Sequence, residues 1–169
     1  RYTDAFIIAV TGSNGKTTTA TLIYHILKNA GLNVCLAGNI GVSFALSVCD
    51  YSYDYYVLEV SSFQLDHSIT FRPNISVITN ISPDHLDRYD EDFDLYTLSK
   101  YSIVKNQKAN DFFIYNNDCN VTKKIFSRVQ IKSKSISFST KQNSGLKHSI
   151  YANNKNIISS INKEKFMLS

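Results

Sequence analysis

Residues that could bind phosphate lie close together near the start of the chain. The run Thr-Gly-Ser-Asn-Gly-Lys-Thr-Thr occupies positions 11–18. Its glycines allow the backbone to curl so that several N–H groups converge on one anion. Lys16 would supply a positive charge for the β- and γ-phosphates of a nucleotide, and Thr17 a hydroxyl for a phosphate-bound Mg²⁺. The residues of this predicted phosphate-binding loop are Gly12, Ser13, Asn14, Gly15, Lys16, Thr17 and Thr18.

A loop of this kind needs a strand before it and a helix after it, and the sequence predicts both. The apolar run at 6–11 is typical of a buried strand, and the pattern at 16–30 is typical of an amphipathic helix. The helix would point the positive end of its dipole at the anion. Val10 stands where the common Walker pattern has glycine, so the loop is a shorter variant, and an ordinary glycine turn is the alternative. The predicted buried face of the helix is Leu22, Ile23, Ile26, Leu27 and Ala30.

Strands and helices alternate along most of the chain, which predicts an α/β fold in one domain. Continuously apolar strands imply a mostly parallel sheet, of the phosphate-loop type, flanked by helices on both faces. After about residue 130, short alternating segments predict a small antiparallel sheet toward the C-terminus. The further predicted strands are 33–37, 55–60, 74–79 and 111–115, the further helices are 38–46, 92–107 and 119–127, and the antiparallel segments are 135–139, 148–152 and 156–160.

Other residues that could bind a metal ion or a substrate follow the predicted strands directly. In a parallel sheet the carboxyl ends of the strands meet at one edge, where ligands bind. Glu59 ends a strand and could hold Mg²⁺, while His85, between Asp84 and Asp87, could complete a second Mg²⁺ site or position a substrate. Lys100 lies on the next helix, and its spacing alone does not distinguish it from other lysines.

Composition excludes several classes of protein. The net charge is +4, but the basic residues do not interleave with aromatic ones as in a nucleic-acid platform, so we expect no nucleic-acid partner. No apolar run approaches the roughly 20 residues of a membrane span. Three widely spaced cysteines indicate reduced thiols and a cytoplasmic location. The chain begins at Arg1, so we expect a piece of a longer protein.

Four motifs in order resemble the central, ATP-binding domain of the Mur ligases, which add amino acids during peptidoglycan synthesis. They are the loop at 11–18, Gly-Asn-Ile-Gly at 38–41, Leu-Glu-Val-Ser-Ser-Phe-Gln-Leu at 58–65 and Asp-His-Leu-Asp-Arg-Tyr at 84–89. The second and third are similar to those of the D-glutamate-adding members. The resemblance covers about residues 5 to 108 and implies a monomer with flanking UDP-binding and C-terminal domains, without which this piece would be inactive.

The resemblance also implies roles for individual residues. Lys16 and Thr17 would serve the phosphates of ATP and a first Mg²⁺, with Glu59 as the carboxylate of that metal. His85 would contact a second Mg²⁺, and Lys100 would be carbamylated and become a metal ligand, so that Lys16, His85 and Lys100 form the catalytic group. The positions around the substrate, UDP-N-acetylmuramoyl-L-alanine, would be Asn39, Ser61, Gln64 and Tyr96. The implied reaction joins D-glutamate to that substrate through an acyl phosphate.

Three alternatives remain open at this point. Another Mur-type ligase or a folylpolyglutamate synthase shares the loop, although the motifs at 38–41 and 61–65 argue against it. A GTPase or phosphotransferase would be expected to carry Asp-x-x-Gly and Asn-Lys-x-Asp motifs, which we do not find. A non-catalytic nucleotide-binding module is the third alternative.

Overall fold

The computed structural model describes residues 3–126, 128–140, 149–153, 156–161 and 164–168. Within these ranges the strands are β1 (Phe6–Thr11), β2 (Val34–Gly38), β3 (Tyr55–Glu59), β4 (Ile75–Ile78), β5 (Phe112–Asn116), β6 (Lys134–Ser139), β7 (Ser149–Asn153), β8 (Asn156–Ile161) and β9 (Glu164–Leu168). The α-helices are α1 (Lys16–Asn29), α2 (Phe44–Asp50), α3 (Ser62–Asp66), α4 (Phe93–Tyr101) and α5 (Asn120–Ile125). Leu86–Tyr89 and Ser102–Val104 form short 3₁₀ helices. In the part of the chain so described, no helix is long and apolar enough to cross a membrane.

The strands form one sheet in the order β2-β3-β1-β4-β5-β6-β7-β8-β9. Neighbours from β2 to β7 pair in parallel, and β7, β8 and β9 pair antiparallel. The predicted fold class is therefore confirmed. The prediction was wrong for the segment 135–139, because β6 pairs in parallel with β5 rather than joining the antiparallel strands. Helix α5 supplies the crossover that this parallel pairing requires. His148 of the predicted segment 148–152 and Ser127 of the predicted helix 119–127 lie outside the described residues.

Both faces of the sheet are covered by helices. Alternate residues of a strand point to opposite faces, so β1 and β3 contribute side chains to both buried clusters. On one face Ile7 and Ala9 belong to the larger buried cluster, against which residues of α2 and α4 pack. On the other face Val10 and Val57 pack with Ala20 of α1. This two-sided burial explains why β1 and β3 are almost uniformly apolar.

Two helices differ from their predicted form. The helix predicted over 38–46 begins only at Phe44, with Ser43 as its N-cap, because Gly38 and Gly41 adopt positive φ angles of 107° and 73°. Helix α4 ends at Tyr101 and a 3₁₀ turn follows, so the prediction of one helix over 92–107 was too long.

The buried face of α1 is narrower than its sequence pattern predicted. Leu22 and Ile26 are 58% and 59% exposed and Ala30 is exposed as well, so their predicted place in the core was wrong. Ile23 and Leu27 are partly buried against the sheet, and Ala20 is fully buried. A helix on the face of a sheet contacts it along one stripe only, and the apolar residues of α1 extend beyond that stripe.

A partly buried ion pair joins Arg72, before β4, to the buried Asp111 at the start of β5. Arg72 Nε and Nη2 each donate to the Asp111 carboxylate at 2.8 Å, and the Lys108 N–H donates to the same group at 2.6 Å. The Asp111 side chain is 3% exposed. Burial by itself raises the pKa of Asp111, but the bonds from Arg72 and Lys108 outweigh it and hold the pKa below its ordinary value.

We expect Asp111→Asn to lower the free energy of unfolding by about 3 kcal/mol at pH 7, because Arg72 loses its buried partner. The pKa of Asp111 is lower in the folded protein than in the unfolded chain, where it is about 3.9. The ionised carboxylate therefore stabilises the fold above about pH 3.9, and this contribution is lost as the pH falls through the folded pKa. The difference between the wild type and the variant in urea unfolding should therefore shrink below about pH 4. Asp94→Asn, which removes the exposed partner of Arg128, is the control and should change stability by less than about 1 kcal/mol. A loss that is the same at pH 7 and pH 3 would contradict this account of Asp111.

Candidate functional site

The loop at 12–15 connects β1 to α1 and ends on an uncapped helix. Gly15 is the N-cap residue, with a left-handed φ of 79° and no side-chain cap. The backbone hydrogen bonds of this helix begin with the Thr19 N–H, which donates to Gly15 O. The N–H groups of the first turn are thus donors without intrahelical partners at the positive end of the helix dipole. This arrangement fits an anion.

The Lys16 side chain adds a cation to the same loop. Its Nζ donates to the carbonyl oxygens of Gly12 and Ser13, both at 2.9 Å, and therefore lies over the loop rather than extending into solvent. The loop thus combines backbone donors with a positive charge. That donor set fits the phosphates of a nucleotide.

The Glu59 carboxylate, at the end of β3, is held beside the loop by one side chain from α1 and one from the residue after β2. Thr17 Oγ1 donates to Glu59 Oε2 at 2.7 Å, and Asn39 Nδ2 donates to Glu59 Oε1 at 2.8 Å. The register explains the convergence, because Glu59 lies opposite Val10 of β1 and Gly38 of β2. Glu59 is 2% exposed.

The hydroxyl of Thr17 and the carboxylate of Glu59 could hold one Mg²⁺. Among residues 3–126 and the shorter described ranges beyond them, no three His, Cys, Asp or Glu side chains form a metal-binding group. A metal here would depend on Thr17, Glu59 and the oxygens of a bound phosphate. Mg²⁺ is bound in this way in nucleotide sites, through one or two carboxylates and substrate phosphates.

Lys100 reaches the loop from α4. It is 2% exposed, its Nζ donates to Gly12 O at 3.0 Å, and the same atom lies 4.7 Å from the centre of the Tyr96 ring. Burial is the main cause that lowers the pKa of Lys100 to about 8, and the charge of Lys16 lowers it further against the opposing effect of Asp84 and Asp66. Lys100 is therefore more often neutral near pH 8 than an ordinary lysine.

The four residues predicted to surround the substrate occupy different places. Asn39 bonds to Glu59, as described. Ser61 and Gln64 form a capping box at the start of α3, in which the Ser61 N–H donates to Gln64 Oε1 and the Gln64 N–H donates to Ser61 Oγ. Gln64 and Glu59 also line a cavity of about 670 Å³. Tyr96 is 1% exposed, and its hydroxyl shares a hydrogen bond of 2.9 Å with Ser13 Oγ.

His85 lies on the outer side of the site. Its backbone adopts a left-handed φ of 50°, and its side chain is 63% exposed. Its Nε2 lies 3.7 Å from Asp84 Oδ1, and its ring meets Phe63 edge-on with the centres 5.8 Å apart. The structure therefore brings Lys16, Thr17, Glu59 and Lys100 around one loop, whereas the side chain of His85 is mostly exposed and contacts Asp84 and Phe63.

Comparison with known proteins decides the family. Residues 10–168 match the family model described as the Mur ligase middle domain. The chain belongs to this family. The expected resemblance is confirmed.

The relatives of this Mur ligase middle domain are longer proteins. It is 52% identical over 145 residues to the UDP-N-acetylmuramoylalanine–D-glutamate ligase of Bacteroides fragilis, covering 86% of this chain and 33% of the relative. It is 42% identical over 168 residues to the ligase of the same name from Christiangramia forsetii, covering 99% and 37%. The chain thus spans about a third of the length of these curated relatives.

A solved structure confirms the fold of the Mur ligase middle domain. The MurF ligase of Thermotoga maritima in complex with ADP superposes with a TM-score of 0.69 at 23% identity, covering 98% of this chain and 40% of that one. At this identity the likeness shows the fold alone.

Sequence reasoning missed how the segment after β4 supports the phosphate loop. His85, between Asp84 and Asp87, was predicted to lie near the site, but neither Thr79 nor Asn80 was predicted to contact the loop. Both bond to the backbone of Asn14. The only available signal was their place at a strand end, because the contact depends on the parallel pairing of β1 with β4.

Gly38 is expected to be essential for the stability of this Mur ligase middle domain. Its φ is 107°, and a Cβ there would lie 2.3 Å from the carbonyl oxygen of Glu59. We expect Gly38→Ala to lower the free energy of unfolding by about 3 kcal/mol, because it combines backbone strain with a backbone clash. Gly31→Ala is the matched control, with a φ of 79° and no atom within 4 Å, and should cost about 1 kcal/mol. Equal losses in urea unfolding would show that the clash with Glu59 is not a significant contribution.

Proposed function

We propose that this chain is the ATP-binding middle domain of a ligase that adds D-glutamate to UDP-N-acetylmuramoyl-L-alanine in peptidoglycan synthesis. The observation that carries the proposal is the Glu59 carboxylate, held by Thr17 and Asn39 beside the phosphate loop. The names of the curated relatives support the choice of D-glutamate. The ADP bound to the MurF ligase supports the nucleotide.

In this proposal the loop holds the β- and γ-phosphates of ATP. The N–H groups at the start of α1 donate to the phosphate oxygens, and the Lys16 ammonium offsets their charge. Thr17 and Glu59 would hold the first Mg²⁺, while Asn39 keeps the Glu59 carboxylate in place. Mg²⁺, when bound, supplies positive charge that offsets the repulsion between phosphate and an incoming carboxylate.

The proposed reaction has two steps. The alanine carboxylate of the UDP-sugar attacks the γ-phosphorus of ATP, so that an acyl phosphate and ADP form. The amine of D-glutamate then attacks the acyl carbon, an amide bond forms, and inorganic phosphate leaves. Lys16 would stabilise negative charge on the transferred phosphoryl group. Because an acyl phosphate hydrolyses readily, closure of flanking domains over this edge would have to exclude water.

We also propose that Lys100 is carbamylated and, with His85, serves a second Mg²⁺. CO₂ reacts with a neutral amine, and the burial and lowered pKa of Lys100 increase its neutral fraction. Ser61 and Gln64, near the cavity beside Glu59, are proposed to contact the muramoyl substrate together with Asn39. Because Tyr96 is buried against Ser13, its contribution would pass through the loop.

Phosphate release by the full-length protein tests this function. The assay contains Mg-ATP and UDP-N-acetylmuramoyl-L-alanine, with D-glutamate, L-glutamate, L-lysine or diaminopimelate as the acceptor. We expect release with D-glutamate alone. Release with another acceptor would keep the mechanism but reject the proposed specificity, and no release with any acceptor would reject the ligase activity.

The remaining proposals concern the whole protein. We propose that it acts as a monomer in the cytoplasm on these small molecules. The curated relatives are more than twice as long as this chain, so we propose that the domain alone has no ligase activity. Turnover by the isolated domain would contradict this.

A further inference from the structure

We propose that Asn80 is a positioning residue that holds the phosphate loop in its nucleotide-binding shape. The inference rests on the proposed function, since it assumes that the loop binds the phosphates of a nucleotide. Asn80 follows β4 and contacts the backbone of the loop that follows the neighbouring strand β1, and it is proposed to act through this loop rather than by touching the nucleotide.

The Asn80 amide pairs with both backbone polar groups of one loop residue. Asn80 Oδ1 accepts from the Asn14 N–H at 3.0 Å, and Asn80 Nδ2 donates to the Asn14 carbonyl at 2.9 Å. A backbone N–H can only donate and a carbonyl can only accept, so the two bonds together define the orientation of the amide. Asn80 thus binds Asn14 as an adjacent strand would.

Further hydrogen bonds join the same two segments. The Asn80 carbonyl accepts from the Ser13 N–H at 2.9 Å, and Thr79 Oγ1 donates to the Asn14 carbonyl at 2.7 Å. Ser13 Oγ accepts from the Ser82 N–H at 2.9 Å and donates to the Ser82 carbonyl at 2.8 Å. The segment 79–82, which follows β4, therefore holds loop residues 13 and 14 through backbone and side-chain hydrogen bonds.

Asn14 determines the direction of the groups that follow it. The next residue, Gly15, turns the chain through a left-handed conformation into α1, and Lys16 and Thr17 come directly after. A rotation of the Asn14 peptide would redirect the N–H groups of the helix start. A loop held in its binding shape avoids the entropic cost of ordering when the ligand binds.

Asparagine suits this position because its planar amide presents a donor and an acceptor side by side. Aspartate would keep the acceptor but would set an oxygen against the Asn14 carbonyl. Both bonds between Asn80 and Asn14 are exposed, so water can replace them when they are lost. The change should therefore affect the order of the loop more than the stability of the fold.

Calorimetric titration of the full-length protein with ADP, with and without Mg²⁺, tests the role of Asn80. We expect Asn80→Ala to bind ADP about tenfold more weakly than the wild type. A loss of this size corresponds to the net free energy of one or two hydrogen bonds. The KM for ATP should rise by a similar factor, while kcat changes little once ATP saturates. Thr79→Val removes one bond to the Asn14 carbonyl and should weaken ADP binding by about threefold.

Asn106→Ala is the matched control. Asn106 Nδ2 also donates two bonds of 2.9 Å to backbone carbonyls, those of Ile69 and Phe71, but it lies away from the loop. We expect the melting temperatures of Asn80→Ala and Asn106→Ala to fall by similar amounts, and only Asn80→Ala to lose ADP affinity.

The outcomes separate this inference from the proposed function. If the wild type binds ADP and both asparagine variants bind it equally well, the role of Asn80 is refuted and the nucleotide site stands. If the wild type does not bind ADP, both proposals are refuted. If Asn80→Ala does not fold, the affinity of Thr79→Val decides, and wild-type affinity in that variant would overturn the inference.

Discussion

Replacing Lys16 by glutamine in the full-length protein is expected to lower kcat/KM for ATP in the proposed reaction on the order of 10³-fold. The Lys16 ammonium lies over the loop, between the carbonyl oxygens of Gly12 and Ser13, where the phosphates would bind. Glutamine has a similar length but no charge, so the developing negative charge on the phosphoryl group would lose its fixed cation. Steady-state kinetics with varied Mg-ATP measures the effect.

Lys28→Gln is the control for this prediction. Lys28 lies in the last turn of the same helix, α1, and its Nζ bonds to Tyr24 rather than to the loop. Its replacement removes the same charge from the same helix and should leave kcat/KM unchanged. Similar losses in the two variants would mean that the net charge of α1, and not the position of Lys16, governs the activity.

The second large effect is expected at Lys100. Lys100→Ala should remove most ligase activity, on the order of 10²- to 10³-fold, because a carbamylated lysine would supply a carboxylate to the second Mg²⁺ site. Formate or acetate should restore part of the activity of this variant by occupying the space of the missing carbamate. Lys105→Ala changes an exposed lysine shortly after α4 and should retain full activity.

Carbamylation of Lys100 can also be observed directly. In wild-type protein supplied with ¹³C-bicarbonate, NMR should show a carbamate signal that is absent from Lys100→Ala. With a pKa of about 8, the neutral fraction of Lys100 rises from roughly a tenth at pH 7 to roughly a half at pH 8. At constant dissolved CO₂ the signal should therefore increase across this interval. Unchanged activity of Lys100→Ala, or no difference between the two spectra, would reject the carbamate.

Much of the site could be predicted from the sequence because its signals are local. The two loop glycines, Lys16 and Thr17 lie within six consecutive residues at the junction of the loop and α1, and β1 has the predicted bounds. The strand-end position of Glu59 was sufficient to predict its place beside the loop, since parallel strands present their carboxyl ends at one edge. The structure brings Thr17 and Asn39 to its two oxygens.

Other parts of the site could not be predicted from spacing. Lys100 lies 88 residues from Gly12, whose carbonyl it contacts, and only the packing of α4 against the sheet joins them. Without the family resemblance, nothing in the sequence separated it from Lys105 or Lys108. Asn80 contacts Asn14 because β4 lies next to β1, and no short sequence motif predicts this order of strands.

The phosphate loop, the strands that precede the functional residues and the α/β class could be predicted from the sequence alone, because these depend on glycine conformations and on the period of apolar residues over one element. The packing of the elements against one another sets which side chains meet, how deeply Lys100 is buried, and that β6 joins the parallel strands. It also left Leu22 and Ile26 exposed although their spacing matches a buried face. The physical reason is that burial and strand order depend on contacts between elements far apart in the chain, whereas periodicity describes only the element in which it occurs.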